Sequence, residues 1–183
     1  MTRRLLGVAG IAVTACAVAA CATMRVSSHV ERGRDFSQYR TFDWGPADAL
    51  PTGDPRLDKD PFFQDHVEGA IEKQMAARGF ERSAVADAPD VRIHYHATID
   101  QRIAIDEVDR RYGDCYSDEC YPHVTDYEAG TLVVDIVDVR TNALIWRGWA
   151  QKSVEGVLGN RDRLARTIDE GVTRMFLRLP RAR

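Results

Sequence analysis

Thr131-Leu-Val-Val-Asp-Ile-Val-Asp-Val139 is an almost unbroken run of β-branched and aliphatic residues. It is too short for a buried helix and too apolar for a strand with one wet face, which predicts a central strand buried on both faces. Arg140-Thr-Asn-Ala143 reads as a turn and Leu144 to Val154 as the return strand, so the pair forms a hairpin. Side chains alternate along a strand, so Asp135 and Asp138 point to opposite faces, as do Trp146 and Trp149. Trp146 is read as core. One of the two aspartates is expected to face the sheet edge or to partner an arginine.

Working outward, Val91, Ile93, Tyr95, Ala97 and Ile99 alternate with Arg92, His94, His96, Thr98 and Asp100, the pattern of a half-buried strand. Before it, Asp60 caps a helix that opens with Pro61, and Phe63, Val67, Ile71 and Met75 make one apolar stripe. Gly79 ends this helix, predicted over 61–78. After the hairpin, Asn160 caps a last helix whose stripe is Leu164, Ile168, Val172, Met175, Phe176 and Leu179, and Pro180 stops it. Strands are expected over Met24–Val30 and near Tyr39–Trp44, with loops over Gly45–Pro61 and over 106–129. Two helices with one-sided stripes need a sheet face to bury against. The fold expected is α+β: a single-domain two-layer sandwich, with a mainly antiparallel sheet packed on two helices.

The chain has 183 residues, 44% of them hydrophobic and 29% charged, which suits one folded domain. The formal net charge is −3. An acidic chain of this kind carries no footprint for nucleic acid or for anionic lipid headgroups.

The first residues follow the plan of a secretory signal: Arg3 and Arg4, then an apolar stretch from Leu5 to Ala15, then small residues. Val18-Ala19-Ala20-Cys21 fits a lipobox, in which the thiol carries diacylglycerol. One acyl chain binds a membrane marginally, whereas two or more hold it. Val13-Thr14-Ala15-Cys16 also fits, after a shorter apolar stretch; Cys21 is preferred. The division expected is a signal peptide over 1–20, a lipidated N-terminus and tether over 21–34, and the domain over 35–183. Losing Arg3 and Arg4 takes the charge to −5. Ala22, not Asp, follows the cysteine, which by the enterobacterial sorting rule points to the outer membrane.

Several short motifs in this order resemble the small bacterial lipoproteins that carry domain of unknown function 4136. They are Tyr39-Arg-Thr-Phe-Asp-Trp44, Gly79-Phe80, Ala88-Pro-Asp-Val91, Gly130-Thr-Leu-Val-Val-Asp-Ile-Val-Asp138, Asn142-Ala-Leu-Ile-Trp-Arg-Gly148, and Phe176 with Pro180. The resemblance spans about residues 25–180. It implies an envelope location and an α+β domain. It implies no activity, cofactor or catalytic residue.

Beyond the lipobox, Cys115 and Cys120 form an even pair in an exported chain, which reads as a disulfide; a thiol metal site with His123 is the rival reading. The 106–129 loop holds eight acidic residues. Asp114, Asp118 and Glu119 lack the regular spacing of a calcium loop, so a solvated charge run is expected. Its tyrosines suit a protein-recognition surface. His94 and His96 share a strand face and could chelate a metal, with His123 as a third ligand, or belong to a plain polar face. No nucleophile elbow, phosphate loop or dinucleotide fingerprint is present in the sequence. The expectation is a non-enzymatic envelope module without a cofactor. Its partners would be membrane lipid, through the acylated N-terminus, and a protein or other envelope component. A metal-binding protein and an enzyme of unrecognised type are the alternatives.

Overall fold

The computed structural model describes residues 23–45, 54–84, 89–105 and 124–182. They form a six-stranded mixed sheet with two long helices and a short one. The strands are β1 (Arg25–Val30), β2 (Thr41–Trp44), β3 (Glu81–Arg82), β4 (Val91–Ile105), β5 (Val124–Asp138) and β6 (Ala143–Ser153). Their order in the sheet is β1-β6-β5-β4-β2-β3. The pairs β1–β6, β5–β6 and β4–β5 are antiparallel, whereas β2 runs parallel to both β3 and β4. The helices are α1 (Pro55–Asp58), α2 (Pro61–Ala77) and α3 (Arg161–Phe176). The α+β sandwich expected from the periodicities is therefore the fold.

Local chemistry explains the helix ends. The Asp60 carboxylate accepts the Phe62 N–H at 3.1 Å and Pro61 takes the first helical position of α2. At the other end Gly79 adopts φ +90°, and the N–H groups of Gly79 and Phe80 donate to the carbonyls of Ala76 and Met75. That pattern is a Schellman motif, which needs a left-handed residue at the glycine. Asn160 caps α3 by accepting the Arg163 N–H at 3.0 Å.

Phe63, Val67, Ile71 and Met75 of α2 and Leu164, Ile168, Val172, Met175 and Phe176 of α3 are buried in one cluster with Val91, Ile93, Ala97, Val134, Ile136, Trp146 and Ala150 of the sheet. Trp146 packs on Phe176 with ring centroids 4.9 Å apart. The opposite sheet face carries Arg92, His94 and His96 of β4, Val133 and Asp135 of β5, and Arg147 and Trp149 of β6.

Three expectations change. Residues 124–129, expected within a loop over 106–129, are strand: β5 starts at Val124 and pairs with β4 as far as Ile105. Asp126 and Glu128 mask this strand in the sequence, yet cross-strand pairing holds them in a ladder. The central strand is not sealed on both faces: Thr131, Val133 and Val137 stay partly exposed because the helices cover one side only. The segment Gly45–Pro61, expected as loop, contains α1.

Candidate functional site

Three places on the domain gather chemistry: a polar knot at one end of the sheet, the open sheet face, and a mainly apolar cleft between the helices and the covered face.

The knot joins residues far apart in sequence. Asp138 is 1% exposed, and its Oδ2 accepts the Tyr39 hydroxyl at 3.0 Å. Its Oδ1 accepts the N–H groups of Arg140 and Thr141 at 2.9 and 3.2 Å, which fixes the β5–β6 turn. Arg34 stands 3.7 Å away. Burial pushes the Asp138 carboxyl up, but the hydrogen bonds from Thr141, Tyr39 and Arg140 outweigh it and hold it below the ordinary range. Beside it, one oxygen of Asp90 accepts the N–H groups of Arg40 and Thr41 and the Thr41 hydroxyl at 2.8 to 3.1 Å. The Asp90 N–H returns a bond to Thr41 Oγ1 at 3.0 Å. Both oxygens of Asp138 and Oδ2 of Asp90 are engaged by neighbours that position backbone, so the knot is a lock between β2, β4 and the hairpin. It comprises much of what distinguishes the sequence: the Tyr39–Trp44 motif, Asp90 and Asp138.

On the open face, His94 and His96 do lie side by side along β4. His94 is opposite Asp135 in register. Its ring backs onto Gly45, where an added Cβ would run into the imidazole. Burial holds His94 below its ordinary value, against the pull of Asp135. Nδ1 of His96 is buried without a hydrogen-bond partner among the described residues. Asp135 is bound by Arg147 through a fork of two 2.6 Å bonds from Nε and Nη2. Among the described residues no three His, Cys, Asp or Glu side chains converge as a metal-binding group. Cys16, Cys21, Cys115, Cys120 and His123, with Asp114, Asp118 and Glu119, lie outside the described residues. No described helix is long and apolar enough to cross a membrane.

The cleft opens where β1 begins, between α2, α3, the middle of β4 and β5 and the last residues of β6. It has a volume of about 70 Å³, and its walls include Met24, Phe63, Leu132, Leu158, Leu164 and Ile168. Sequence reading missed it, because its walls come from separate elements and no one of them marks a cavity.

The profile of the family described as domain of unknown function (DUF4136) matches residues 26–181. The chain belongs to this family. The DUF4136 domain thus takes in the sheet, but for the first residue of β1, and both long helices. Among solved structures, a PDZ domain protein from Parabacteroides distasonis is similar at 13% identity and a TM-score of 0.51. The alignment covers 89% of this chain but only 38% of that one. A DUF4136 family protein from Bacteroides thetaiotaomicron aligns at 11% identity and a TM-score of 0.49, covering 82% of this chain and 95% of that one. The PelC dodecamer from Paraburkholderia phytofirmans aligns at 12% and 0.47, covering 88% and 99%. At these identities the likeness speaks to the fold alone. No curated protein is significantly similar in sequence.

Proposed function

We propose that this DUF4136 domain is the extracytoplasmic part of a lipoprotein. Acyl chains on Cys21 hold it to a membrane facing the periplasm, by the Ala22 rule the outer membrane. It works there as a non-enzymatic binding or structural module of the envelope. One observation carries this reading: Cys21 ends a complete Arg3-Arg4, apolar stretch and lipobox sequence, four residues ahead of Arg25, where β1 begins. A tether that short keeps the globule within about 15 Å of its anchor. The acidic balance supports a partner other than nucleic acid. The non-enzymatic reading is supported by the knot, where each strongly placed carboxylate has a structural task.

The test is lipid labelling in cells with a clickable fatty acid. Label is expected on the intact chain and on Cys16→Ser, and is expected to vanish on Cys21→Ser. Label that survives Cys21→Ser, or a mature protein that starts at an unmodified residue, rejects the anchor. In the oxidising compartment, Cys115 and Cys120 are expected to resist alkylation until a reductant is added. Crosslinking in intact cells, read by mass spectrometry, then identifies the envelope component that the domain contacts.

A further inference from the structure

We infer that the outer edge of β1 pairs antiparallel with β1 of a second copy, in the register that sets Ser28 opposite the partner's Ser28. The strand order leaves β1 and β3 as the two edges of the sheet. An edge strand presents unpaired N–H and C=O groups that template another strand, unless it is very short, bulged, charged or broken by proline. β3 is only two residues long. β1 runs for six residues, Arg25-Val-Ser-Ser-His-Val30, without proline and without a shift in its register with β6. No strand among the described residues lies on its outer side.

The bonds to β6 fix which backbone groups face outward. One step beyond the Val30–Trp146 pair, the Glu31 N–H donates to the Ile145 carbonyl at 3.0 Å. Bonded and non-bonded pairs alternate along an antiparallel ladder, so Arg25, Ser27, His29 and Glu31 turn their backbone groups toward β6. Val26, Ser28 and Val30 turn theirs outward. A second β1 meets them through its own Val26, Ser28 and Val30, each bonded pair exchanging two hydrogen bonds.

The side chains select the register and the occupant. Val26 and Val30 stand opposite Ala150 and Trp146 on the covered face and are only partly buried against the core. With Ser28 at the two-fold axis, Val26 lies beside the partner's Val30, and the core continues across the axis. On the open face Arg25 then meets the partner's Glu31, twice by symmetry. Both side chains are exposed, and Glu31 stands 3.7 Å from His29 of its own chain. The neighbouring registers that keep the outward groups paired set Arg25 opposite the partner's His29, or Ser27 opposite the partner's Glu31, and both separate the valines. Charge and apolar pairing coincide in one self-complementary register, which favours a second copy over an unrelated strand.

The experiment uses cells making two differently tagged full chains, one with Ser27→Cys and the other with His29→Cys. In the inferred register these positions oppose one another as a non-bonded pair, with Cα atoms about 4.5 Å apart, within the span of a disulfide. Two copies of either variant alone set their cysteines off by two residues. After mild oxidation, a disulfide mapped by mass spectrometry is expected between the two tags and not between copies of one variant. Arg25→Glu in both chains should reduce it about tenfold, because two exposed ion pairs, each worth at most about fivefold, are lost. Adding Glu31→Arg to both chains should restore it. All four positions are exposed, so these variants leave the core intact. Mixed and same-variant bridges in equal amounts reveal random collision and overturn the proposal, as does a bridge to a different protein instead of the second copy. A mixed bridge that ignores the charge exchange overturns the register.

Discussion

The Tyr39 hydroxyl donates a 3.0 Å hydrogen bond to the buried carboxylate of Asp138, across 99 residues of chain. It ties the segment leading into β2 to the turn between β5 and β6. Removing the donor leaves Asp138 with backbone N–H groups and a more distant Arg34. Tyr39→Phe is expected to cost about 1.5–3 kcal/mol, the range for hydrogen bonds to charged groups. Asp138→Ala, which also frees the turn, should cost more, about 2–4 kcal/mol. Urea unfolding of the soluble domain measures both, and equal costs would show that the turn does not depend on the carboxylate.

Acid should destabilise the domain through three carboxylates. Asp54 is held low chiefly by the Arg56 hydrogen bond. Asp90 and Asp138 are pushed up by burial but held low overall by the N–H and O–H groups that donate to them. A carboxyl depressed in the folded state contributes stability above its unfolded value, about 3.9, and loses it as pH falls through the folded value. Unfolding free energy should therefore begin to fall below about pH 6.5, where His94 takes up a proton in the unfolded chain before the folded one, and fall further below about pH 4 as these carboxyls protonate. Asp138→Asn should have a shallower acid limb than the wild type, as followed by circular dichroism against pH. An acid limb unchanged in that variant would remove Asp138 from the account.

Arg147 and Asp135 form a two-bond fork across β5 and β6 on the open face. Asp135 is 8% exposed, so Arg147→Ala leaves a nearly buried charge unpaired. Arg147 itself is half-exposed, and solvent screening reduces the expected cost to about 1–2 kcal/mol. Arg147→Lys should recover only part of this, because an ammonium cannot reproduce the planar fork. A double-mutant cycle with Asp135→Asn reads the coupling; a coupling near zero would reduce the fork to a surface pair.

Two glycines should respond differently to alanine. Gly79→Ala keeps all packing but places a side chain at φ +90°, at an expected cost of about 1 kcal/mol. At Gly148 the strain is steric: an added Cβ would strike the Trp146 ring and lie 3.1 Å from Met175 Cβ. Overpacking a filled core costs about 1–3 kcal/mol. Gly148→Ala should also change the near-ultraviolet circular dichroism through Trp146, whereas Gly79→Ala should not.

Much of this was legible in the chain itself. The apolar stripes of α2 and α3, their Asp60 and Asn160 caps, the Gly79 stop and the 131–154 hairpin follow from local periodicity and capping, which neighbouring residues determine. Trp146 as core and the opposed faces of Asp135 and Asp138 followed from strand alternation, and an arginine partner was one of two readings for these aspartates. The ordered motifs were enough to point to the family.

Tertiary structure decided the rest. The parallel pairing of β2 with β4, the extension of β5 back to Val124 and the two-residue strand β3 depend on partners distant in sequence, and charged side chains hid them. Tyr39 and Asp138 gave no sign of meeting, because a hydrogen bond across the fold leaves no spacing to read. The cleft beside Met24 belongs to no single element. It exists only where two helices part from the middle of β4 and β5 and the end of β6, and a void has no residue of its own.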